Sequence, residues 1–71
     1  MRPLSGRELA RIVETKGWRL RRVSGSHHIY GREGTRVRLS IPIHGNKNLK
    51  AGTQRTLMRL AGLTESDLFD Y

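Results

Sequence analysis

The stretch WRLRRVSGSHHIYGREGTRVRLSI, residues 18–41, decides the fold, because its hydrophobic residues recur at about every second position. This alternation is typical of strands that bury one face. Turn sequences at 24–26 and 31–34 divide the stretch into three strands, and Pro42 ends the third. The predicted strands cover about 18–23, 27–32 and 36–41. Because the turns are short, we expect the strands to pair as an antiparallel sheet.

The alternation also predicts which side chains share each face of the sheet. The face that packs against helices is predicted to hold Trp18, Leu20, Ile29, Val37, Leu39 and Ile41. The opposite, open face is predicted to show Arg19, Arg21, His28, Tyr30, Arg36 and Arg38.

Helix signals stand on both sides of the strands. Ser5 and Glu8 have the spacing of a capping box, which predicts a first helix over 6–16 that ends at Gly17. Thr53 is expected to cap a second helix over 53–61, and Gly62 is expected to end it.

Thr64 and Asp67 predict a short final turn, with Leu68 and Phe69 packing back on the core. The order is therefore α-β-β-β-α. We expect an α+β fold similar to a double-stranded-RNA-binding domain, with both helices on one face of the sheet. At 71 residues the chain is predicted to be a single domain, residues 1–71.

The charge is strongly basic and limits the classes of function. Lys and Arg number 14 against 6 Asp and Glu, a formal net charge of +8, and 11 of the cations are Arg. Such a chain attracts polyanions, and the Arg guanidinium suits phosphate. The alternative is simply a solvated, soluble surface. The absence of Cys excludes a disulfide scaffold, a cysteine nucleophile and thiolate metal sites.

No apolar run approaches the roughly 18 residues of a membrane span, and no signal peptide is visible. We therefore expect a cytoplasmic protein that does not contact a membrane.

The segment Gly25-Ser26-His27-His28-Ile29-Tyr30 is the first candidate site. Histidine is the side chain best suited to moving protons near neutral pH, and Gly25 and Ser26 suit an approaching phosphate. The alternative is a turn followed by two structural histidines. Adjacent residues of a strand point to opposite faces, so the two histidines are not expected to share one task. No third ligand stands at a short spacing, so no metal site is expected.

Two further features suit phosphate. The loop 42–50 contains His44, Lys47 and Lys50 before a helix, and it is either a phosphate contact or an ordinary surface loop. The arginines of the strands form either a surface that follows a nucleic-acid backbone or a solvated face, and Tyr30 is a candidate for stacking a base. These arginines are Arg19, Arg21, Arg22, Arg32, Arg36 and Arg38.

Taken together, the sequence resembles the HicA toxin family, the mRNA interferases of type II toxin–antitoxin systems. The resemblance rests on Leu4-Ser5-Gly6-Arg7-Glu8-Leu9, on Lys16-Gly17-Trp18 and above all on residues 25–30. The loop from His44 to Thr53 and the ending Leu60-Ala61-Gly62-Leu63 match as well.

The resemblance implies metal-independent cleavage of mRNA without a cofactor, with His27, directly after Gly-Ser, as the catalytic residue. A HicB-type antitoxin is the implied partner in a hetero-oligomeric complex, and DNA is reached only through that antitoxin. His28, His44, Lys47 and Tyr30 are candidates for an assisting role, and nothing in the sequence chooses among them. The implied RNA contacts are Gly25, Ser26, Arg22, Tyr30, Arg36, Arg38, Lys47 and Lys50. Ser24 stands where the family often has a basic or amide residue, so a phosphate contact there falls to Arg22 or is absent.

Alternation places His27 on the Ile29 side, which is assigned to the core, whereas the resemblance requires His27 to be open. We expect the preceding turn to twist the first residue of the strand outward. Two other functions fit the same sequence: a module that binds double-stranded RNA without cutting it, and an inactive relative that only binds the antitoxin.

Overall fold

The computed structural model describes residues 1–69 and confirms the order α-β-β-β-α, with one further short helix. The elements are α1 (Gly6–Thr15), β1 (Arg19–Ser24), β2 (His27–Gly31), β3 (Leu39–Pro42), α2 (Ala51–Ala61) and α3 (Glu65–Phe69). The strands form an antiparallel sheet in the order β1-β2-β3, as predicted for this α+β fold. Asp70 and Tyr71, the end of the predicted 1–71 domain, lie outside the described residues.

The start of α1 confirms the predicted capping box. The Glu8 N–H donates to Ser5 Oγ at 3.1 Å, and the Ser5 N–H donates to Glu8 Oε1 at 2.9 Å. These two bonds satisfy backbone donors that a helix otherwise leaves free. The helix ends at Thr15, one residue before the predicted end.

The second helix begins two residues earlier than predicted. Lys50 is its N-cap and makes no side-chain capping bond, so the prediction that Thr53 caps this helix is wrong. Gly62 ends α2 with a φ of 75°, as predicted, because glycine adopts this left-handed conformation without strain.

The final helix α3 confirms one capping bond and one core contact. The Thr64 N–H donates to Asp67 Oδ2 at 2.7 Å, and Leu68 is buried. Phe69 is 73% exposed, so the prediction that it packs on the core is wrong. A single turn of helix presents only one of two adjacent side chains to the core, and Leu68 takes that place.

One core lies between the helices and one face of the sheet. Trp18, Leu39 and Ile41 are fully buried there, as predicted. The helices contribute Leu9, Ile12, Val13, Leu57, Met58 and Ala61 to the same cluster.

The faces of β2 are the reverse of the prediction. Tyr30 pairs with Leu39 and His28 pairs with Ile41, and directly paired residues share a face of the sheet. Tyr30 is only 4% exposed and belongs to the core. His28 therefore also faces the helices, and Ile29 faces away from them, because the large Tyr30 ring takes the core position.

Two other predicted core residues are exposed. Leu20 is 47% exposed because β1 is an edge strand whose six residues all lie at the surface. Val37 is 37% exposed because β3 begins only at Leu39, so Arg36, Val37 and Arg38 belong to the preceding connection.

Gly6 allows α1 to approach β3 closely. A Cβ atom at this position would lie 2.0 Å from the carbonyl oxygen of Pro42. Only glycine leaves room for this contact, which fixes the start of α1 against the end of β3.

Candidate nucleic-acid interface

His27 lies exposed at the start of β2, on the side of the sheet that faces away from the helices. We call this side, which carries His27, Ile29 and Ser40, the open face. The Nδ1 atom of His27 lies 3.0 Å from Ser40 Oγ on the neighbouring strand. No residue of the described chain 1–69 hydrogen-bonds its Nε2 atom. The ring is thus oriented through one nitrogen and presents the other to solvent.

The open position of His27 follows from the phase of β2 rather than from the turn before it. The strand as a whole presents His27 and Ile29 outward and Tyr30 inward. The explanation by a local outward twist is therefore wrong, although the expected exposure of His27 is confirmed.

The turn that precedes His27 is tight. Ser24 pairs directly with His27, which leaves Gly25 and Ser26 as the turn residues. Gly25 has a φ of 60°, a conformation that favours glycine. The space where a Gly25 side chain would stand is empty to 4 Å, so a ligand can approach the backbone here.

His44 lies beside this turn. Its Nε2 atom is 3.5 Å from Ser26 Oγ, at the long limit of a hydrogen bond. The Ile43 N–H donates to the Ser26 carbonyl at 2.8 Å and holds the loop in place. The structure thus brings a second titratable group to the His27 end of the sheet.

Lys47 and Lys50 line a pocket together with His44, Pro42 and Thr53. Pro42 pairs with His27 across β2 and β3, so this pocket adjoins the His27 end of the open face. The predicted phosphate loop and the predicted catalytic segment are therefore neighbours in space.

His28 does not join this group. It is half-buried on the helix side of the sheet and lines a different groove with Arg7, Glu14 and Tyr30. The expectation that the two adjacent histidines face opposite ways is confirmed. The position of His28 leaves it no assisting role beside His27.

Tyr30 is not on the open face, so the prediction that its ring is available there is wrong. Its hydroxyl donates to Glu14 Oε2 at 3.1 Å. Burial, followed by this hydrogen bond and the negative charge of Glu14, raises the pKa of Tyr30 to about 12. A buried, hydrogen-bonded ring has no free surface on which a base stacks.

A β-bulge in β1 changes which arginines reach the open face. The pairing shifts between Leu20 and Arg22, so Arg21 is an extra residue in β1. Arg22 pairs with Ile29 and therefore lies on the open face. Without the bulge, strict alternation would place Arg22 on the same face as Leu20, which is the face towards the helices.

The other arginines of the strands differ in their surroundings. Arg32 lies over the Trp18 ring, 4.6 Å from its centroid, and Arg19 donates to the carbonyls of Glu14 and Trp18. Arg36 and Arg38 are exposed in the connection before β3. Arg21 belongs to the arginine set that the sequence offered as a nucleic-acid surface, whereas Ser40 was not among the predicted site residues. The only local signal for Ser40 was its polar side chain between Leu39 and Ile41.

Residues 1–69 contain no group of three or more His, Cys, Asp or Glu side chains placed to hold a metal ion. Within the same residues, no helix is both long and apolar enough to cross a membrane.

The fold and this site define a small, basic α+β domain that presents a histidine on the open face of a three-stranded sheet. Residues 6–63 match the family described as the HicA toxin of bacterial toxin–antitoxin systems. The match covers nearly the whole chain, and the chain belongs to the HicA toxin family. No curated protein matches it. Membership gives the chain the role of a toxin that pairs with an antitoxin.

Proposed function

We propose that this toxin is a metal-independent endoribonuclease, an mRNA interferase that blocks translation by cutting mRNA. The observation that carries the proposal is the His27 ring on the open face, held through Nδ1 by Ser40 and free at Nε2. Family membership and the net charge of +8 support RNA as the substrate.

The proposed reaction uses the 2′-hydroxyl of the RNA as the nucleophile. A base takes the proton of this hydroxyl, its oxygen attacks the adjacent phosphorus, and the bond from phosphorus to the 5′-oxygen breaks. The leaving 5′-oxygen takes up a proton. The products are a 2′,3′-cyclic phosphate and a 5′-hydroxyl, and no oxidant or further reactant is needed.

His27 serves as general base or as general acid in this reaction. When Ser40 Oγ accepts from Nδ1–H, Nε2 carries the lone pair that a general base needs. One imidazole does not fill both roles in a single step, so a second group or water fills the other. We assign this role to His44, because Ser26 links it to the turn before His27.

The proposed RNA contacts extend from these histidines along the sheet. The Gly25–Ser26 turn leaves open space for a phosphate, and Arg22, Arg36, Arg38, Lys47 and Lys50 supply exposed positive charge. We further propose that the antitoxin is of the HicB type and covers the open face, so that the toxin contacts DNA only through it.

The test is cleavage of labelled mRNA by purified protein in the presence of EDTA. His27→Ala is expected to lose cleavage by roughly 10²–10⁴-fold, the usual contribution of one proton-transfer group. His28→Gln is the matched control, since His28 is the neighbouring histidine on the opposite face, and it is expected to cut like the parent. Cleavage by His27→Ala at the parent rate would remove His27 from the mechanism.

The same assay, together with growth and co-purification tests, separates the nuclease from the two other functions that fit the sequence. A module that only binds double-stranded RNA shifts the labelled band without shortening it, and prefers duplex to single strand. An inactive relative neither cuts RNA nor stops growth when induced, yet it co-purifies with its antitoxin.

A further inference from the structure

Two arginine side chains converge above Gly31, at the other end of β2 from His27. A Cβ atom on Gly31 would lie 2.9 Å from Arg21 Nε and 3.1 Å from both Cζ and Nη1 of Arg38. Gly31 itself is buried although it has no side chain, because these arginines cover it. The two guanidinium groups therefore occupy the space above a single glycine.

The strands on both sides of β2 supply this pair. Arg21 is the extra residue of the β-bulge in β1, and a bulge redirects a side chain without ending the strand. Arg38 immediately precedes β3, next to Leu39, which pairs with Tyr30. The pairing thus brings both arginines beside Gly31, with glycine as the one residue that leaves them room.

Two converging cations repel one another, and an anion between them removes this repulsion. Arg38 Nη1 also donates to the Val37 carbonyl at 3.3 Å, but that partner carries no charge. Among residues 1–69, neither Arg21 nor Arg38 forms an ion pair with a carboxylate. Within the same part of the chain, Glu8 pairs with Arg2, Glu65 with the N-terminal ammonium group and Asp67 with Lys16. The planar donors of two guanidiniums match the oxygens of a phosphate.

We propose that Arg21 and Arg38 together bind one backbone phosphate of the RNA, and that Gly31 is required because a side chain there displaces both guanidiniums. This inference rests on the proposed function for the identity of the polyanion, because RNA is the polyanion that the proposed nuclease binds.

The bound phosphate is not the one at which His27 acts. His27, Ile29 and Gly31 alternate along the same face of β2, and four residues of strand span roughly 13 Å. Ile29, half-buried, separates the two positions. The arginine pair therefore holds the RNA strand at a distance from the cleaved linkage and aligns it along β2.

The test measures binding of a fluorescent single-stranded 2′-O-methyl RNA of mixed sequence, which lacks the nucleophile and is not cut. Arg21→Gln and Arg38→Gln are each expected to weaken binding about tenfold at low salt, as charge-assisted contacts to phosphate do. The double variant is expected to lower the slope of log affinity against log salt by about 0.7, the value for one phosphate of a single strand. Arg55→Gln, an exposed arginine of α2, is the charge-matched control.

Gly31→Ala separates the placement of the charges from their number. It keeps the net charge, and its methyl group meets only the ends of flexible side chains, so the fold is expected to remain. Its affinity is expected to fall like that of the arginine variants. Gly52→Ala is the matched control, because a Cβ atom there meets nothing within 4 Å.

The outcomes distinguish this inference from the proposed function. If the parent protein binds and cuts RNA but Gly31→Ala and the arginine variants bind like the parent, the phosphate site is wrong and the nuclease proposal stands. If these variants lose affinity only for the antitoxin, the pair belongs to a protein interface and the inference fails. If the parent binds no RNA, both fail.

Discussion

The exposure of His27 depends on Tyr30, three residues further along β2. Side chains alternate along a strand, so the inward Tyr30 places His28 inward and both His27 and Ile29 outward. Tyr30 takes the core position because its hydroxyl finds an acceptor in Glu14 at 3.1 Å. Tyr30, which the sequence offered as a residue for stacking a base, is thus the residue that sets the outward position of His27.

Ser40→Ala tests whether Ser40 positions the His27 ring. Loss of the contact to Nδ1 is expected to lower kcat about tenfold with little change in KM, since phosphate contacts remain. Ser40→Thr keeps a hydroxyl on a strand that favours β-branched residues, and it is expected to restore most of the activity. The pH profile of kcat is measured for all three proteins. Equal profiles for Ser40→Ala and the parent contradict the positioning role.

Tyr30→Phe tests the buried phenol through the pH dependence of stability. The pKa of Tyr30 is raised from 10.0 to about 12 in the folded chain. The unfolded chain therefore loses its phenol proton first, and the stabilisation present below pH 10 is lost as the pH rises towards about 12. Urea unfolding between pH 9 and 12 is expected to show a smaller loss of stability for Tyr30→Phe. An identical loss in both proteins contradicts the assignment.

At the scale of the elements, two contacts join segments that lie far apart in the sequence. Gly6 brings α1 against the end of β3, where Pro42 pairs with His27. Gln54 of α2 is 1% exposed, accepts from the Leu4 N–H at 2.9 Å and donates to the Arg2 carbonyl at 2.7 Å. A glutamine within a helix gives no local sign of such a role, because its partners are backbone groups of the N-terminal segment.

Gly6→Ala tests the packing of α1 on β3. Its methyl group would overlap the Pro42 carbonyl oxygen, which belongs to the backbone and has little freedom to move. We expect a loss of about 1–3 kcal/mol in the free energy of unfolding, the usual cost of overpacking. Gly52→Ala, in open space within α2, is expected to gain about 0.5–1 kcal/mol. Urea denaturation of both variants checks the contrast, and equal stabilities contradict the close contact.

At the scale of the whole molecule, the charge is unevenly distributed along the chain. Residues 1–64 carry all 14 cations and 3 of the 6 acidic residues, and the rest of the acids follow in the last seven positions. The toxin therefore presents a strongly positive surface to its antitoxin and to the RNA that we propose as its substrate. Electrostatic attraction of this kind accelerates association and is weakened by salt.

Association with the antitoxin is expected to slow steeply as salt rises from 0.05 to about 0.5 M, because the Debye length falls towards about 4 Å. Dissociation is expected to change much less, since it depends on short-range contacts. Stopped-flow measurements of both rates across this range check the prediction. An association rate that does not respond to salt contradicts electrostatic steering by the basic surface.

The sequence alone determined the order of the elements, the Ser5–Glu8 cap, the Gly62 end of α2 and the positive net charge, and its resemblance to the HicA family implied His27 as the candidate catalytic residue. The cap and the helix end depend on neighbours a few positions apart, where spacing and residue type suffice. Only the tertiary structure decided the inward side of β2, the bulge at Arg21, the burial of Gln54 and the pairing of arginines over Gly31. These features depend on contacts between distant segments. The alternation along β2 holds, but core packing decided which of its two faces turns inward.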